Sequence, residues 1–258
     1  MKIAVIVKTN LNDSKAYTTH RSKVSYHSDN LFLSSADKSA IEYALACVKN
    51  KNGQIDAYTF EDGIIADRVL HEALAMGANT ATKLKGVDIY DPLQSNAIAG
   101  QFASFIKKQG NYDLILTGYN SETDIISAAL AEKLGIEYRD HVSKVDTEYN
   151  FETKLEKGTI KGKFKLPAVV TVLDSINVPH LPSFIELRDA MDTTIKEYSL
   201  NEDENLEQSK VIADQSKQKQ VIFNLYQDPN AVQKLVDVLK KDGILKWGTL
   251  WNLFIIFR

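Results

Sequence analysis

Apolar runs and amphipathic stretches alternate over the first 135 residues of the chain. These runs predict strands over 2–7, 55–60, 80–84 and 112–118, and the last of them is typical of a strand buried on both faces. Between them, apolar residues recur every three or four positions, which predicts helices over 37–49, 64–76, 92–108 and 124–134. This repeating order predicts an α/β fold with a mostly parallel sheet and helices on both faces.

The pattern changes in the middle of the chain. Residues 138–165 alternate polar and apolar side chains, which predicts an antiparallel hairpin attached to the parallel sheet. The run 166–172 (LPAVVTV) predicts one more buried strand. Pro179 and Pro182 then stiffen the following loop and delay the next helix, which we predict over 182–193. A stiff loop after a buried strand is a common place for function in α/β proteins.

The carboxyl-terminal part has a different composition. Residues 196–220 carry few large apolar side chains and predict an extended linker. A short strand over 220–224, a helix over 229–243 and an apolar tail with both tryptophans follow it. We therefore predict an α/β domain over 1–195 and a carboxyl-terminal linker and arm over 196–258. Because the arm has little core of its own, we expect it to pack on a partner subunit, with folding back onto its own domain as the alternative.

Charge and composition exclude several classes of function. The 31 basic and 34 acidic residues nearly balance, so no strong attraction to nucleic acid or to an anionic membrane is expected. Cys47 is the only cysteine, which excludes an internal disulfide and a thiol metal cluster, and the histidines form no HxxH or HExxH spacing. No segment approaches the about 20 apolar residues of a membrane helix, and the first apolar run is too short for a signal peptide. We expect a cytoplasmic protein without a membrane span.

Six motifs in order carry a resemblance to a known family. They are MKIAVIVK at 1–8, DKSAIEYAL at 37–45, EALAMGAN at 72–79, YDLILTG at 112–118, LAEKLG at 130–135, and LPAVVTV at 166–172 with the loop at 177–179. The chain resembles the beta subunit of electron transfer flavoproteins, and among them the FixA-like branch, over nearly its whole length. The resemblance implies a Rossmann-like, adenine-nucleotide-binding version of the α/β fold.

The resemblance implies an electron-carrier subunit rather than an enzyme. Such a beta subunit pairs with an alpha subunit that holds the redox-active FAD. The heterodimer takes electrons from dehydrogenases, often of the acyl-CoA type, and passes them to a downstream acceptor. The beta subunit of this family binds AMP, or a second FAD in bifurcating members, in its own sheet, and its carboxyl arm wraps around the alpha subunit.

The resemblance also indicates which residues would face a nucleotide. The cofactor-binding set is Ile6, Ser34, Phe60, Gly118, Asn120, Ser121, Thr123 and Ser127. Asp124, Ile125 and Ser127 stand where the family has glycine, glutamine and glycine, so a carboxylate is added and close backbone approach is lost. Phe60 stands where it could fill the adenine pocket. Binding of AMP therefore stays open.

Several of these positions also depart from the family or have an ordinary structural alternative. Ser34 replaces the asparagine that faces the nucleotide in the family. The residues Asn120, Ser121 and Thr123 could hold a phosphate or could simply cap a helix.

Three further residues are predicted to face the flavin or the partner proteins. They are Lys8 after the first strand, and His180 and Phe184 in the proline-braced loop. His180 stands where the family commonly has arginine and could carry charge near a flavin; the alternative is a surface histidine. Phe184 stands where the family has an apolar anchor, usually leucine, that enters the dehydrogenase; the alternative is a core residue of helix 182–193.

No arrangement of a nucleophile and a base is apparent in the sequence. The acidic residues Asp37, Glu42 and Glu72 are interpreted as solvated charges on helices.

Two other functions compete with the carrier subunit. One is a stand-alone adenine-nucleotide-binding module of the universal-stress or nucleotide hydrolase type. That class needs a Gly-rich phosphate loop late in the domain or Ser-Gly-Gly-x-Asp after the first strand, and here residues 8–13 read KTNLND. The other is a scaffold of the same family that has lost its nucleotide, which the altered loop at 118–127 keeps open.

Overall fold

The computed structural model describes residues 1–10, 17–20, 23–27, 30–49, 52–89, 91–119, 121–200, 228–241 and 243. The chain divides into two compact units, Met1–Ile212 and Ala213–Arg258. Within the described ranges, no helix is both long enough and apolar enough to cross a membrane. Nor do these ranges contain three or more His, Cys, Asp or Glu side chains grouped so that they could hold a metal ion.

The helices and strands of the described residues have the following bounds. The helices are α1 (Ser35–Val48), α2 (Gly63–Ala75), α3 (Ser95–Gln109), α4 (Ser121–Leu134), α5 (Phe184–Met191) and α6 (Ala231–Lys241). The strands are β1 (Lys2–Ile6), β2 (Tyr17–His20), β3 (Lys23–Tyr26), β4 (Gln54–Thr59), β5 (Thr80–Lys85), β6 (Leu114–Gly118), β7 (Glu137–Val145), β8 (Asn150–Leu155), β9 (Gly158–Lys163), β10 (Ala168–Val172) and β11 (Lys196–Ser199).

The main sheet is mostly parallel, as predicted. Its strand order is β11-β5-β4-β1-β6-β10-β7-β8-β9. All pairs from β11 to β7 are parallel, and the pairs β7–β8 and β8–β9 are antiparallel. The predicted antiparallel addition is thus confirmed. A separate antiparallel pair is formed by β2 and β3.

Helices cover both faces of the sheet because the strands carry apolar side chains on both sides. On β1, Ile3 and Val5 belong to one buried cluster and Ala4 and Ile6 to another. The first cluster includes residues of α1 and α2, namely Ile41, Val69 and Leu70. The second includes residues of α3 and α4, namely Ile98, Phe102 and Leu130. The continuous apolar runs predicted this arrangement correctly.

The boundary that we predicted for the linker needs a correction. The first residues of the predicted linker form β11, which pairs in parallel with β5 and extends the sheet. Glu197 bridges to Lys85 at 2.7 Å, and the ring of Tyr198 lies 4.5 Å from that of Phe105. A short polar edge strand of this kind has no apolar pattern to predict it.

The remaining part of the predicted arm is only partly described. The helix predicted over 229–243 is confirmed as α6. The predicted strand at 220–224 and the apolar tail at 247–258 lie outside the described residues. The packing of the arm on a partner stays a prediction.

Candidate functional site

The candidate site lies at the carboxyl ends of the central parallel strands. β1 is flanked by β4 on one side and by β6 on the other, so the chain leaves the sheet in opposite directions from this point. Such a switch point opens a crevice at the carboxyl ends of strands, where α/β proteins bind ligands. Here Lys8 and Thr9 follow β1, Glu61 follows β4, and Gly118 ends β6.

Asp37 connects the loops at these strand ends. The carboxylate is fully buried on the first turn of α1. Its Oδ1 accepts the N–H of Gly118 at 3.0 Å, and its Oδ2 accepts the N–H of Lys8 at 3.2 Å. Burial raises the pKa of Asp37 from 3.8 to about 6, against the lowering effect of its hydrogen bonds to Ser34, Lys8 and Gly118. This one side chain therefore ties α1, β1 and β6 together.

Ser34 has a structural role beside Asp37. It is the N-cap of α1, and its Oγ accepts the N–H of Asp37 at 3.0 Å. The same hydroxyl donates to Asp37 Oδ2 at 2.7 Å. The hydroxyl of Ser34 is thus engaged within the protein, and a contact with a nucleotide stays a prediction.

Gly118 is required by a close approach between β6 and α1. A Cβ added to Gly118 would lie 2.4 Å from the amide nitrogen of Asp37 and 2.5 Å from the carbonyl carbon of Ala36. Only glycine allows the backbones to come this close. The contact that needs glycine is made with protein rather than with a phosphate.

Glu61 is a second buried carboxylate at the same edge. Its Oε2 accepts both the N–H and the hydroxyl of Thr9, each at 2.9 Å. The N–H of Glu61 in turn donates to Thr59 Oγ1 at 3.3 Å. The side chain joins the loop after β4 to the loop after β1, and no sequence pattern indicated this pairing.

The side chains of Ile6 and Phe60 lie in the core rather than in a pocket. Both are almost completely buried in the cluster that includes α3. The ring of Phe60 makes an edge contact with that of Phe102, with centroids 5.2 Å apart. These two positions therefore offer only their backbone to any ligand at the strand ends.

Ser127 lies below the strand ends within a chain of buried hydroxyls. Its Oγ is 3.2 Å from Thr117 Oγ1, which donates to Thr171 Oγ1 at 3.3 Å. The hydroxyl thus ties α4 to β6 and β10. Of the other predicted phosphate residues, Asn120 and the side chains of Ser121 and Thr123 lie outside the described residues.

A second group of predicted residues lies on the loop after β10 and at the start of α5. Phe184 is 80% exposed, and Val178 and Leu181 are 92% and 75% exposed. The alternative that Phe184 is a core residue is therefore wrong. A capping box holds the helix start, since Ser183 and Glu186 each accept the other's backbone N–H.

His180 is anchored within this loop. The ring Nδ1 of His180 lies 2.5 Å from Glu42 Oε2, and the backbone N–H of His180 donates to the same oxygen at 3.2 Å. The imidazole itself is half exposed. Lys8, in contrast, is largely buried beside Asp37. That either residue faces a flavin stays a prediction.

The interpretation of three helical carboxylates as solvated charges is wrong. Asp37 is fully buried, and Glu42 holds His180. Glu72 accepts the N–H of Leu33 at 2.7 Å and bridges to Lys38 at 2.9 Å. Their partners are distant in sequence, so helical spacing alone could not indicate them.

Comparisons with known proteins identify the family. Residues 23–203 match the model of the electron transfer flavoprotein domain. The beta subunit of the electron transfer flavoprotein from Thermoanaerobacterium thermosaccharolyticum is 30% identical over 158 residues, which covers 57% of this chain and 58% of that protein. The corresponding subunit from Clostridium acetobutylicum is 28% identical over 173 residues, covering 64% and 65%.

The beta subunit from Mycobacterium tuberculosis is 31% identical over 128 residues, covering 46% of this chain and 47% of that protein. The chain thus spans between about half and two thirds of the length of these curated relatives. The family match, however, extends over more than half of the chain. This chain therefore belongs to the electron transfer flavoprotein family.

Proposed function

We propose that this chain is the beta subunit of a heterodimeric electron transfer flavoprotein. In this proposal an alpha subunit holds most of the FAD, and electrons pass through it from a dehydrogenase, of the acyl-CoA type, to a downstream acceptor. The relatives that support the proposal are all beta subunits of electron transfer flavoproteins. The chain is a carrier subunit rather than an enzyme. The FixA-like branch and the cytoplasmic location stay predictions.

The observation that carries the proposal is a firmly held loop with exposed apolar side chains. Val178 and Leu181 project from the segment between β10 and α5, and Phe184 projects from the first position of α5. Exposed apolar side chains in one segment are typical of protein-binding surfaces. A large aromatic side chain on a backbone that is held in place before binding is a strong anchor, because little backbone entropy is lost.

Two residues of this loop are held by residues of α1. The side-chain amide of Asn177 donates to the carbonyl oxygen of Ser39 at 2.9 Å. Glu42, one helical turn further on, holds His180. The loop therefore keeps its position relative to the central strands, and we infer that it sets the distance between a docked dehydrogenase and the flavin.

The FAD supplies the redox chemistry when it is bound, since its ring system takes up and releases electrons. This chain contributes by positioning the FAD and by shielding it. His180 is the described residue best suited to approach the flavin, because its half-exposed imidazole is oriented by Glu42 and leaves its other nitrogen, Nε2, available for a hydrogen bond. Lys8 contributes through its backbone, which is held by Asp37.

Co-expression with candidate alpha subunits tests the proposal. We expect a yellow one-to-one complex whose FAD is reduced by an acyl-CoA dehydrogenase in the presence of its substrate. A colourless monomer that ignores every alpha subunit and binds ATP by itself would contradict the proposal and would support the stand-alone module.

The Phe184→Ala variant tests the docking surface within that complex. We expect the rate of FAD reduction at low dehydrogenase concentration to fall by about tenfold or more, because an anchor side chain is lost. The FAD content and the melting temperature should stay unchanged, since Phe184 packs little within its own chain. An unchanged reduction rate would remove Phe184 from the docking surface.

A further inference from the structure

The backbone N–H groups at the carboxyl ends of the central strands already have anionic partners. The N–H groups of Lys8 and Gly118 donate to the Asp37 carboxylate, and the N–H of Thr9 donates to the Glu61 carboxylate. The family places an AMP or a second FAD at this edge of the beta subunit, where N–H groups of this kind would receive its phosphate. These three donors at the strand ends are therefore used by the protein itself.

The two carboxylates are fixed rather than loosely placed. Asp37 is completely buried and also receives the Ser34 hydroxyl, and Glu61 is almost completely buried and receives two hydrogen bonds from Thr9. A carboxylate that leaves such a site abandons N–H donors, which are costly to leave unpaired in the interior. A ligand that used one of these N–H groups would have to displace the carboxylate that holds it.

A phosphate would also meet unfavourable charge. A phosphate monoester carries a charge of about −1.5 to −2 at pH 7, and Asp37 and Glu61 would be its nearest neighbours. Asp124 adds a further carboxyl group in the first turn of α4, where it meets the positive end of the helix dipole. These three carboxyl groups outnumber Lys8, a largely buried cation whose charge lowers the pKa of Asp37, so the balance of charge among these residues disfavours an anion.

The connection between β6 and α4 is short, and Gly118 at its start is packed against α1. β6 ends at Gly118 and α4 begins at Ser121, so the connection is only two residues long. Gly118 itself is pressed against α1, with no space for a side chain. Ile6 and Phe60, the other predicted contacts, are in the core. The described residues do not fit an adenine nucleotide.

We propose that Asp37 and Glu61 take the place of the nucleotide phosphate in this subunit, and that the subunit assembles without AMP or a second FAD. The proposal rests on the proposed function only in its use of the heterodimer for one test. It assigns to the two carboxylates the cross-linking of the strand ends that a bound phosphate would otherwise provide.

Nucleotide extraction from the co-expressed heterodimer is the first test. We expect one FAD for each heterodimer and no AMP when the denatured complex is analysed by chromatography. One AMP for each heterodimer, or two FAD, would overturn the proposal. If no yellow complex forms, the proposed function fails, and the same extraction from the purified full-length chain still tests the present proposal, with stoichiometric AMP again overturning it.

Titration of the full-length chain with AMP is the second test, followed by NMR at the amides of Lys8, Thr9 and Gly118. We expect none of the three resonances to move at millimolar AMP, and the melting temperature to stay the same because nothing binds the native state. Saturable shifts at these amides would overturn the proposal.

The variant Glu61→Ala is the one in which we expect the titration to detect AMP. It removes the acceptor from Thr9, and we expect AMP to produce saturable shifts at that amide. The control Glu156→Ala removes an exposed carboxylate and should behave as the unmodified chain. If Glu61→Ala folds and AMP does not shift the resonance of its Thr9 amide, Glu61 does not exclude the phosphate and its assigned role is overturned.

Discussion

Asp37 shows how a single buried carboxylate can organise several segments. Desolvation disfavours its charged form, and three hydrogen-bond donors partly offset this cost. The result is a group whose ionisation is coupled to folding. Because the side chain joins α1 to the segments after β1 and at the end of β6, its charge state affects the strand ends as a unit.

The raised pKa of Asp37 predicts a pH dependence of stability. The carboxyl ionises near 3.8 in the unfolded chain and at about 6 in the folded chain. Between these values the folded state binds more protons than the unfolded state, so this group lowers the free energy of unfolding as pH rises from about 4 to about 6. The loss is on the order of 3 kcal/mol, since a tenfold difference in proton affinity corresponds to about 1.4 kcal/mol.

The variant Asp37→Asn should remove this part of the pH dependence. Urea unfolding of both proteins at several pH values gives the measurement. We expect the difference in free energy of unfolding between the two proteins to change between pH 4 and pH 6 and to be constant above that range. Parallel curves over the whole range would show that Asp37 ionises at its ordinary pKa in the folded protein.

A second prediction at this scale concerns Gly118. The variant Gly118→Ala places a methyl group 2.4 Å from a backbone nitrogen of α1, so the strand or the helix must shift. We expect a loss of about 1–3 kcal/mol in the free energy of unfolding. Gly158→Ala is the matched control in another strand, because its methyl group would meet nothing within 4 Å. Equal stability of the two variants would contradict the close approach.

At the residue scale the sequence predicted positions better than roles. Gly118 was predicted as a nucleotide contact and needs to be glycine because of its contact with α1, and Phe184 is exposed while its role as an anchor stays a prediction. The hydrogen-bond partners of Asp37 and Glu61 were not recognised from the sequence, because each carboxylate binds backbone groups that lie tens of residues away. Only the folded chain brings these groups together.

β10 and the loop that follows it have different roles, namely stability and recognition. The strand is buried on both faces and carries stability. The loop after it exposes apolar side chains and, in the proposed function, carries recognition. The uninterrupted apolar run predicted β10, whereas β11 escaped prediction because its side chains are all exposed.

The same substitution at Val170 and at Val178 separates these tasks. Val170 is completely buried in β10, and Val170→Ala should cost about 2 kcal/mol in the free energy of unfolding. Val178 is 92% exposed, and Val178→Ala should change stability by less than about 0.5 kcal/mol while slowing reduction of the FAD. Chemical unfolding and reduction kinetics of both variants provide the check, and a large stability loss at Val178 would contradict the division.

At the scale of the whole molecule, the periodicity of the chain predicted the sheet and the helix layers, since both depend on local apolar patterns. It could not predict the strand order, which depends on contacts between distant segments. The carboxyl-terminal unit contains α6, a helix with apolar side chains that remain exposed. The proposed heterodimer provides a surface to cover them.

Substitutions on α6 test this assembly. Val232, Leu235 and Val238 are the exposed apolar residues of the helix. We expect Leu235→Lys to weaken binding of the alpha subunit by about tenfold or more, whereas Gln233→Lys, on an already polar position, should leave it unchanged. Titration of the alpha subunit gives both affinities. Equal affinities would place the helix outside the interface.

The two carboxylates at the strand ends have one further consequence. A subunit that closes its central crevice with its own side chains completes its fold without drawing on the adenylate pool of the cell. In the proposed heterodimer, assembly of the carrier then requires one bound cofactor, the FAD, and no separate AMP.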